Sequence, residues 1–237
     1  MLLIALRTVR YNDRHSILSV YSAERGRLSV LVPAGGGREA RRTRALLMPL
    51  SVVEAEVAFR PDRSIFAISD VRTAPGLTPL HISGDPLRGL LGLFLADVLE
   101  SLVRESPPDR LLFDGVRDIA ARLAEAPSRS LPNFHLLALV RLARLTGIEP
   151  DTATYRPGRF LDLTDGVWRN TPPVSGQWLE TAPSRVAALL ASLQWHHASL
   201  LRLDTAARRT AIDTIVSYFE AHLGTLRLPS LSILREL

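Results

Sequence analysis

The clearest structural signal in the chain lies at residues 16–32, which run SILSVYSAERGRLSVLV. Two apolar, β-branched segments flank a polar turn at residues 23–27, where Gly26 can take a positive φ, so the stretch predicts a β-hairpin. A similar apolar run precedes it at residues 2–9, and the polar turn at residues 11–15 separates the two. The pattern predicts three consecutive strands at the start of the chain.

Two further runs of strand-forming residues follow at residues 50–59 and 64–71, joined by the turn Arg60-Pro61-Asp62-Arg63. Proline at the second position of this tetrapeptide fits a type I turn. Five short strands in the first 73 residues predict a small closed barrel of the OB or SH3 type. Phe59 and Phe66 are expected in its core.

A glycine- and arginine-rich segment, PAGGGREARRTR at residues 33–44, joins the third and fourth runs. Its three glycines allow close approach of the backbone to a ligand, and its four arginines add positive charge. It is not a P-loop, since no Gly-Lys-Ser/Thr follows the glycines. A solvated connector would have the same composition. On a small barrel, however, a long basic loop would form one continuous basic face with nearby arginines, namely Arg7, Arg10, Arg14, Arg25 and Arg27.

The hydrophobic period changes after residues 74–79, a segment with two prolines and a glycine that predicts a domain boundary. Beyond it, apolar residues recur every three or four positions, which predicts helices. The predicted helices lie at residues 87–102, 112–123, 131–146, 186–193 and 212–223. Asp85 is expected to cap the first of them. The third is apolar on nearly all sides, which is typical of a central buried helix.

Prolines at residues 148–182 interrupt this helical pattern, and the turn Thr164-Asp165-Gly166 between two apolar segments predicts a β-hairpin. We therefore predict an α+β, multi-domain protein. Its first domain is a five-stranded barrel over residues 1–76. Its second is a helical domain over residues 77–237 that carries residues 148–182 as an irregular, hairpin-containing insertion.

The composition excludes several kinds of site. The chain has no cysteine, which removes disulfides, thiolate nucleophiles and cysteine-based zinc sites. No apolar run reaches the roughly 18 residues that span a bilayer, and the first seven residues lack the features of a signal peptide. We therefore expect a soluble, cytoplasmic protein that does not associate with membranes.

The search for catalytic or metal-binding residues finds no convincing group. His196 and His197 are adjacent, so on a helix they point about 100° apart and cannot chelate one metal together. Asp162 and Asp165 could bind a cation, but a hairpin turn explains both without one. No Gly-x-Ser-x-Gly elbow is present. The sequence predicts a protein that is not an enzyme and has no catalytic residues, metal or cofactor.

The formal net charge is +5, and every one of the 29 basic residues is arginine. A GC-rich genome would produce this bias without any function. Guanidinium groups also bind phosphates and stack on bases, so the same bias suits a nucleic-acid-binding surface. Tyr11 lies in a turn and is the best candidate for stacking on a base. The predicted DNA-binding residues are Arg7, Arg10, Tyr11, Arg14, Arg25, Arg27, Arg38, Arg41, Arg42 and Arg44.

Seven segments of the chain follow the order of motifs in a known family. They are residues 9–13, 17–29, 32–42, 46–50, 111–114, 134–147 with Pro150, and 228–237. Together they resemble the RecO family of bacterial recombination mediators. The resemblance implies an OB-fold barrel followed by a helical domain, with binding to single- and double-stranded DNA and annealing of complementary strands. It also implies three protein partners: RecR, RecF and the acidic C-terminal tail of the single-stranded DNA-binding protein. Residues 149–169 lack the four zinc-binding cysteines found in many family members.

Arginines beside an apolar groove of the helical domain would suit such an acidic, hydrophobic tail. Arg129, Arg141 and Arg144 are the predicted tail-binding residues. Two alternatives remain open. The chain could be a protein-interaction scaffold that does not bind DNA and whose basic loop is incidental, or, less favoured, a nuclease that uses a carboxylate-bound metal.

Overall fold

The structure is a computed structural model that describes residues 1–78, 84–104, 107–174, 176–197 and 200–236. The chain forms two compact units. The first comprises Met1–Ala126 with Leu228–Ser230, and the second comprises Pro127–Arg227 with Leu231–Leu237. Pro79, at the end of the predicted boundary segment, and Leu237, at the end of the second predicted domain, lie outside the described residues. The predicted division between residues 76 and 77 stays a prediction.

The five predicted strands form a closed barrel in the first unit, which confirms the OB-like interpretation. The strands are β1 (Leu2–Arg10), β2 (His15–Ser22), β3 (Gly26–Pro33), β4 (Val52–Ala58) and β5 (Ile65–Thr73). Around the barrel they follow the order β1-β2-β3-β5-β4, with β4 paired back to β1. The pairing of β3 with β5 is parallel, whereas the other pairings are antiparallel.

The barrel core follows from the two-residue period of the strands. Alternate apolar residues of the β2–β3 hairpin, among them Leu18, Val20, Val30 and Val32, are buried inside the barrel. Phe66 packs partly against this core, in line with its prediction. Phe59 is only half-buried and lies just beyond the end of β4, so its predicted place in the core is wrong.

The segment between β3 and β4 is not the long loop that its glycines indicate. Residues Arg38–Leu46 form a helix, α1, that begins directly after Gly37. Arginine, alanine, leucine and glutamate are good helix formers, and they supply eight of the nine helical residues. The loop is therefore limited to residues 34–37, and the four arginines of the segment all lie on the helix.

Two long helices complete the first unit: α2 (Pro86–Leu102) and α3 (Arg110–Glu125). The predicted cap of α2 is confirmed, because the Asp85 side chain accepts a hydrogen bond from the Leu87 amide at 3.0 Å. The C-terminal end of α3 is capped by a buried arginine of α2. Arg88 donates to the carbonyl oxygens of Leu123, Ala124 and Ala126.

The second unit is built around the predicted central helix, α4 (Leu131–Leu145), which is buried on nearly every side. Among the described residues, a small three-stranded sheet and three further α-helices belong to the same unit. They are β6 (Phe160–Asp162), β7 (Val167–Arg169), β8 (Trp178–Leu179), α5 (Thr181–Ala191), α6 (Thr205–Leu223) and α7 (Leu231–Leu234). The predicted hairpin is thus confirmed as β6–β7, and β8 adds a strand to it. None of the helices in the described residues is long and apolar enough to cross a membrane.

Candidate nucleic-acid interface

Three of the four arginines of α1 point to the same side of that helix. Arg38, Arg41 and Arg42 are spaced by three and four residues, so their side chains lie within an arc of about 100°. All three are exposed. The local helix therefore presents three guanidinium groups to solvent on one face.

The turn between β1 and β2 lies at the same end of the barrel as the start of α1. His15 pairs with Pro33 across the hairpin, and the Ala34 amide donates to the Arg14 carbonyl at 2.8 Å. Arg10, Tyr11 and Arg14 are exposed here, with Tyr11 60% exposed. We call this group the α1 surface; its residues are Arg10, Tyr11, Arg14, Arg38, Arg41 and Arg42.

The acidic residues of the α1 surface only partly offset its charge. Arg10 forms an ion pair with Asp13 at 2.6 Å, but both side chains are largely exposed. Such a pair is worth at most about 1 kcal/mol, so a phosphate can replace the aspartate with little loss. Glu39, beside Arg38 on α1, is the other carboxylate of this segment. Five arginines against two carboxylates leave this end of the barrel clearly positive.

Arg44 has a different environment from the other arginines of α1. It lies about 60° around the helix axis from Arg41 and about 160° from Arg42. The residue is half-buried, and its Nη1 donates to the carbonyl oxygens of Gly35 at 2.6 Å and Pro33 at 3.2 Å. These bonds tie α1 to the loop that precedes it. The guanidinium thus holds the position of α1, and direct contact of Arg44 with DNA stays a prediction.

The single continuous basic face expected from the sequence is divided by the barrel. Arg25 and Arg27 lie at the turn between β2 and β3, whereas the α1 surface lies at the other end of these strands. Seven residues of extended strand separate the two ends, a distance of about 23 Å. Arg27 also forms an ion pair with Glu100 of α2 at 2.8 Å. Arg7 is exposed on β1, between the two ends.

Helices cover part of the outer side of β2, which sequence analysis missed. Ser19 donates to Glu100 at 2.7 Å, and Tyr21 donates to the Asp109 carbonyl at 3.0 Å and packs against Phe113. Tyr21 is fully buried, and burial raises the pKa of its phenol. This part of the strand is therefore closed to a nucleic acid. The one sequence signal for this covering by helices is the small side chain of Ser19, which lets a helix approach the strand.

The predicted tail-binding arginines lie at two different places on the second unit. Arg141 and Arg144 are one turn apart near the C-terminal end of α4, and Arg144 lines a pocket formed mainly by apolar side chains, among them Val140 and Leu190. Arg129 precedes α4, about 18 Å from Arg141 along the helix axis. The structure therefore brings two of the three together.

The two aspartates of the predicted hairpin, Asp162 and Asp165, stabilise its turn. Asp162 accepts hydrogen bonds from the Thr164 and Asp165 amides at 3.0 and 3.2 Å, and Arg169 pairs with both aspartates. Burial raises the pKa of Asp162, but the hydrogen bonds from Arg169 and the turn amides outweigh burial and lower it overall. Within the described residues, no group of three or more metal-ligating side chains is assembled.

Comparison with known families settles the relationships of the chain. The family model described as Recombination protein O N terminal matches residues 3–75, and that described as Recombination protein O C terminal matches residues 83–232. The chain belongs to the RecO family. The first match covers the barrel and α1, which places the α1 surface in the N-terminal part of a RecO family protein.

Curated relatives support the same conclusion over nearly the full length. The DNA repair protein RecO of Phocaeicola vulgatus is 29% identical over 235 residues, covering 99% of this chain and 96% of the relative. The DNA repair protein RecO of Porphyromonas gingivalis is 31% identical over 227 residues, covering 93% of this chain and 90% of the relative. The RecO proteins named here are DNA repair proteins, and the present chain is a DNA repair protein of the same family.

Proposed function

We propose that this RecO family member is a non-enzymatic recombination mediator that binds single- and double-stranded DNA and anneals complementary strands. It acts in the bacterial cytoplasm, at the nucleoid, together with RecR and RecF. There it helps to load a recombinase onto DNA that is covered by the single-stranded DNA-binding protein. The α1 surface is the proposed contact with DNA.

The observation that supports DNA binding is the exposed arginine face of α1, at the same end of the barrel as the exposed Tyr11. Guanidinium groups neutralise phosphates without reading sequence, and an aromatic ring stacks on any base. Two complementary strands repel each other through their phosphates. A surface that neutralises these charges lowers the repulsion, which promotes pairing without a motor or a nucleotide cofactor.

The proposal is tested with a variant that removes the α1 charges: Arg38→Gln, Arg41→Gln and Arg42→Gln together. Fluorescence anisotropy measures the affinity for a labelled single-stranded oligonucleotide, and energy transfer between two labelled complementary strands measures annealing. We expect the affinity to fall at least about tenfold at moderate salt, because up to three phosphate contacts are lost. Annealing should slow with it.

A matched control removes the same number of charges elsewhere on the first unit. Arg110, Arg117 and Arg122 lie on α3, where they pair with Asp114 and Asp118. Replacing all three by Gln should change the affinity by less than about threefold, since this helix face lies outside the proposed surface. If the wild-type protein fails to bind the oligonucleotide at moderate salt, the scaffold alternative is correct. If both triple variants bind equally well, the α1 surface is not the site.

The pocket beside Arg144 is the proposed site for the tail of the single-stranded DNA-binding protein. Its apolar lining suits hydrophobic side chains, and Arg144 supplies a positive charge for a carboxylate. In the unbound protein Arg144 pairs with Glu149 at 3.0 Å and donates to the Ala191 carbonyl at 2.5 Å. A bound tail must therefore displace Glu149.

Calorimetry with a synthetic tail peptide tests this site. Arg144→Gln should weaken binding by at least about fivefold, because the peptide carboxylate loses its partner. Arg129→Gln is the control on the same unit, at the other end of α4, and should have a smaller effect. Equal affinities of wild type and Arg144→Gln would reject Arg144 as a contact.

A further inference from the structure

An arginine and a phenylalanine stack at the end of the barrel opposite to α1. The guanidinium of Arg25 lies over the ring of Phe59, 4.0 Å from the centroid. Phe66 supports that ring from the side in an edge contact, with centroids 5.0 Å apart. The cation–π contact holds the planar guanidinium group in place, while the Arg25 side chain as a whole remains exposed.

Two turns meet at this end of the barrel. Arg25 belongs to the β2–β3 turn, and the turn between β4 and β5 carries Arg60 and Arg63. The parallel pairing of β3 with β5, which begins at Ser29 and Ile65, brings the two turns to the same end. Arg60 and Arg63 are both exposed. We call Arg25, Phe59, Arg60 and Arg63 the Phe59 surface.

The Phe59 surface differs from the α1 surface in its chemistry. Its three arginines are accompanied by the carboxylates of Glu24 and Asp62 in the same turns, so its net charge is only slightly positive. A guanidinium group held over an aromatic ring, however, can stack on a nucleobase through its free face. This surface is therefore suited to stacking on bases more than to neutralising phosphates.

We infer that the Phe59 surface is a second contact for single-stranded DNA, which takes one strand while the α1 surface holds the other. The inference rests on the proposed annealing function and adds a place for the second strand. The two surfaces lie about 23 Å apart along the β2–β3 hairpin, so one strand at each does not block the other.

Two triple variants, each of which removes three positive charges, distinguish the roles of the two surfaces. One replaces Arg25, Arg60 and Arg63 by Gln, and the other is the α1 triple variant described above. Affinity for one strand is measured by anisotropy, and the annealing rate is measured at a protein concentration that saturates that strand. The Phe59-surface variant should keep its affinity for one strand within about twofold but anneal at least about fivefold more slowly, since it lacks the second contact.

A third variant, Phe59→Leu, tests the stack itself without changing charge. It should also slow annealing, and circular dichroism melting shows whether each variant is folded. Annealing at the wild-type rate by both folded Phe59-surface variants would overturn the inference. A loss of affinity for one strand as large as that of the α1 variant would also overturn it, because the two surfaces would then form one site. Failure of the proposed function itself is recognised separately, as a wild-type protein that binds no strand.

Discussion

Arg44 of α1 donates from Nη1 to the carbonyl oxygen of Gly35 at 2.6 Å, and this bond joins the helix to the glycine loop that precedes it. The same atom donates to the Pro33 carbonyl at the end of β3. One guanidinium thus fixes the loop, the end of the strand and the helix relative to one another. The exposed arginines of α1 owe their position to a fourth, half-buried arginine of the same helix.

Replacing Arg44 by Ala should therefore loosen α1. The variant loses two hydrogen bonds that a charged, half-buried side chain donates. This loss should lower the stability of this segment by about 1 kcal/mol. Hydrogen exchange of the amides in residues 38–46 should become faster, while exchange in β2 stays unchanged. Arg42→Ala is the control, because its side chain is exposed on the other side of the helix. Equal protection in wild type and Arg44→Ala would contradict this role.

Arg88 is expected to be among the arginines most important for folding. It is buried, and it donates to three carbonyl oxygens at the end of α3. Arg88→Met keeps much of the side-chain volume but removes the donors, so we expect a loss of about 2 to 4 kcal/mol in the free energy of unfolding. Arg122→Met removes an exposed i,i+4 pair with Asp118 and should cost less than about 1 kcal/mol. Denaturant titration of both variants measures the difference.

Part of this structure can be predicted from the sequence. The predictable part depends on interactions between residues that are close in sequence, whereas the rest depends on contacts between residues that are far apart. The strands of the barrel and the buried helix α4 are predictable because their periods of two and 3.6 are local. The helix at residues 38–46 is missed because three consecutive glycines immediately precede it, a stronger loop signal than the helix propensity of the residues that follow. The segment contains both a loop signal and a helix signal, and only the structure shows where the loop ends and the helix begins.

The arrangement of the candidate site depends on contacts that are distant in sequence. Whether Arg25 and Arg38 share a face is decided by strand direction around the barrel, and the parallel pairing of β3 with β5 has no signature in the local pattern. The partnership of Arg27 with Glu100 joins residues 73 positions apart. The residue types of the site are predictable, and their division into two surfaces is not.

Two glycines of the second unit should respond differently to substitution by alanine. Gly166 and Gly158 both have a positive φ, 66° and 82°, so alanine is strained at either position by about 1 kcal/mol. At Gly166 an added Cβ would also lie 2.7 Å from the hydroxyl of Tyr218, whereas at Gly158 it would meet no atom within 4 Å. Gly166→Ala should therefore have the lower melting temperature. Equal melting temperatures would show that Tyr218 moves away freely.

His135 should make the protein sensitive to acid. Burial, with a smaller contribution from the charge of Arg208, lowers its pKa from 6.5 to about 3. As the pH falls below 6.5, the unfolded chain takes up a proton that the folded protein does not. The free energy of unfolding should then decrease by up to about 1.4 kcal/mol per pH unit from this group until the pH nears 3.

A comparison with His135→Gln isolates this effect from the carboxylates, which also titrate in acid. Stability is measured by denaturant titration at a series of pH values between 7 and about 4. The wild type should lose more stability than the variant over this range. Parallel curves for the two proteins would mean that His135 keeps an ordinary pKa in the folded state.

The central claim, that the exposed arginines of α1 bind DNA phosphates, is tested most directly by the salt dependence of binding. The logarithm of the association constant for single-stranded DNA is measured against the logarithm of the salt concentration, for wild type and for the variant with Arg38, Arg41 and Arg42 replaced by Gln. Three lost phosphate contacts should make the slope shallower by about 2, at about 0.7 per contact. An unchanged slope, whatever the affinity, would contradict the claim.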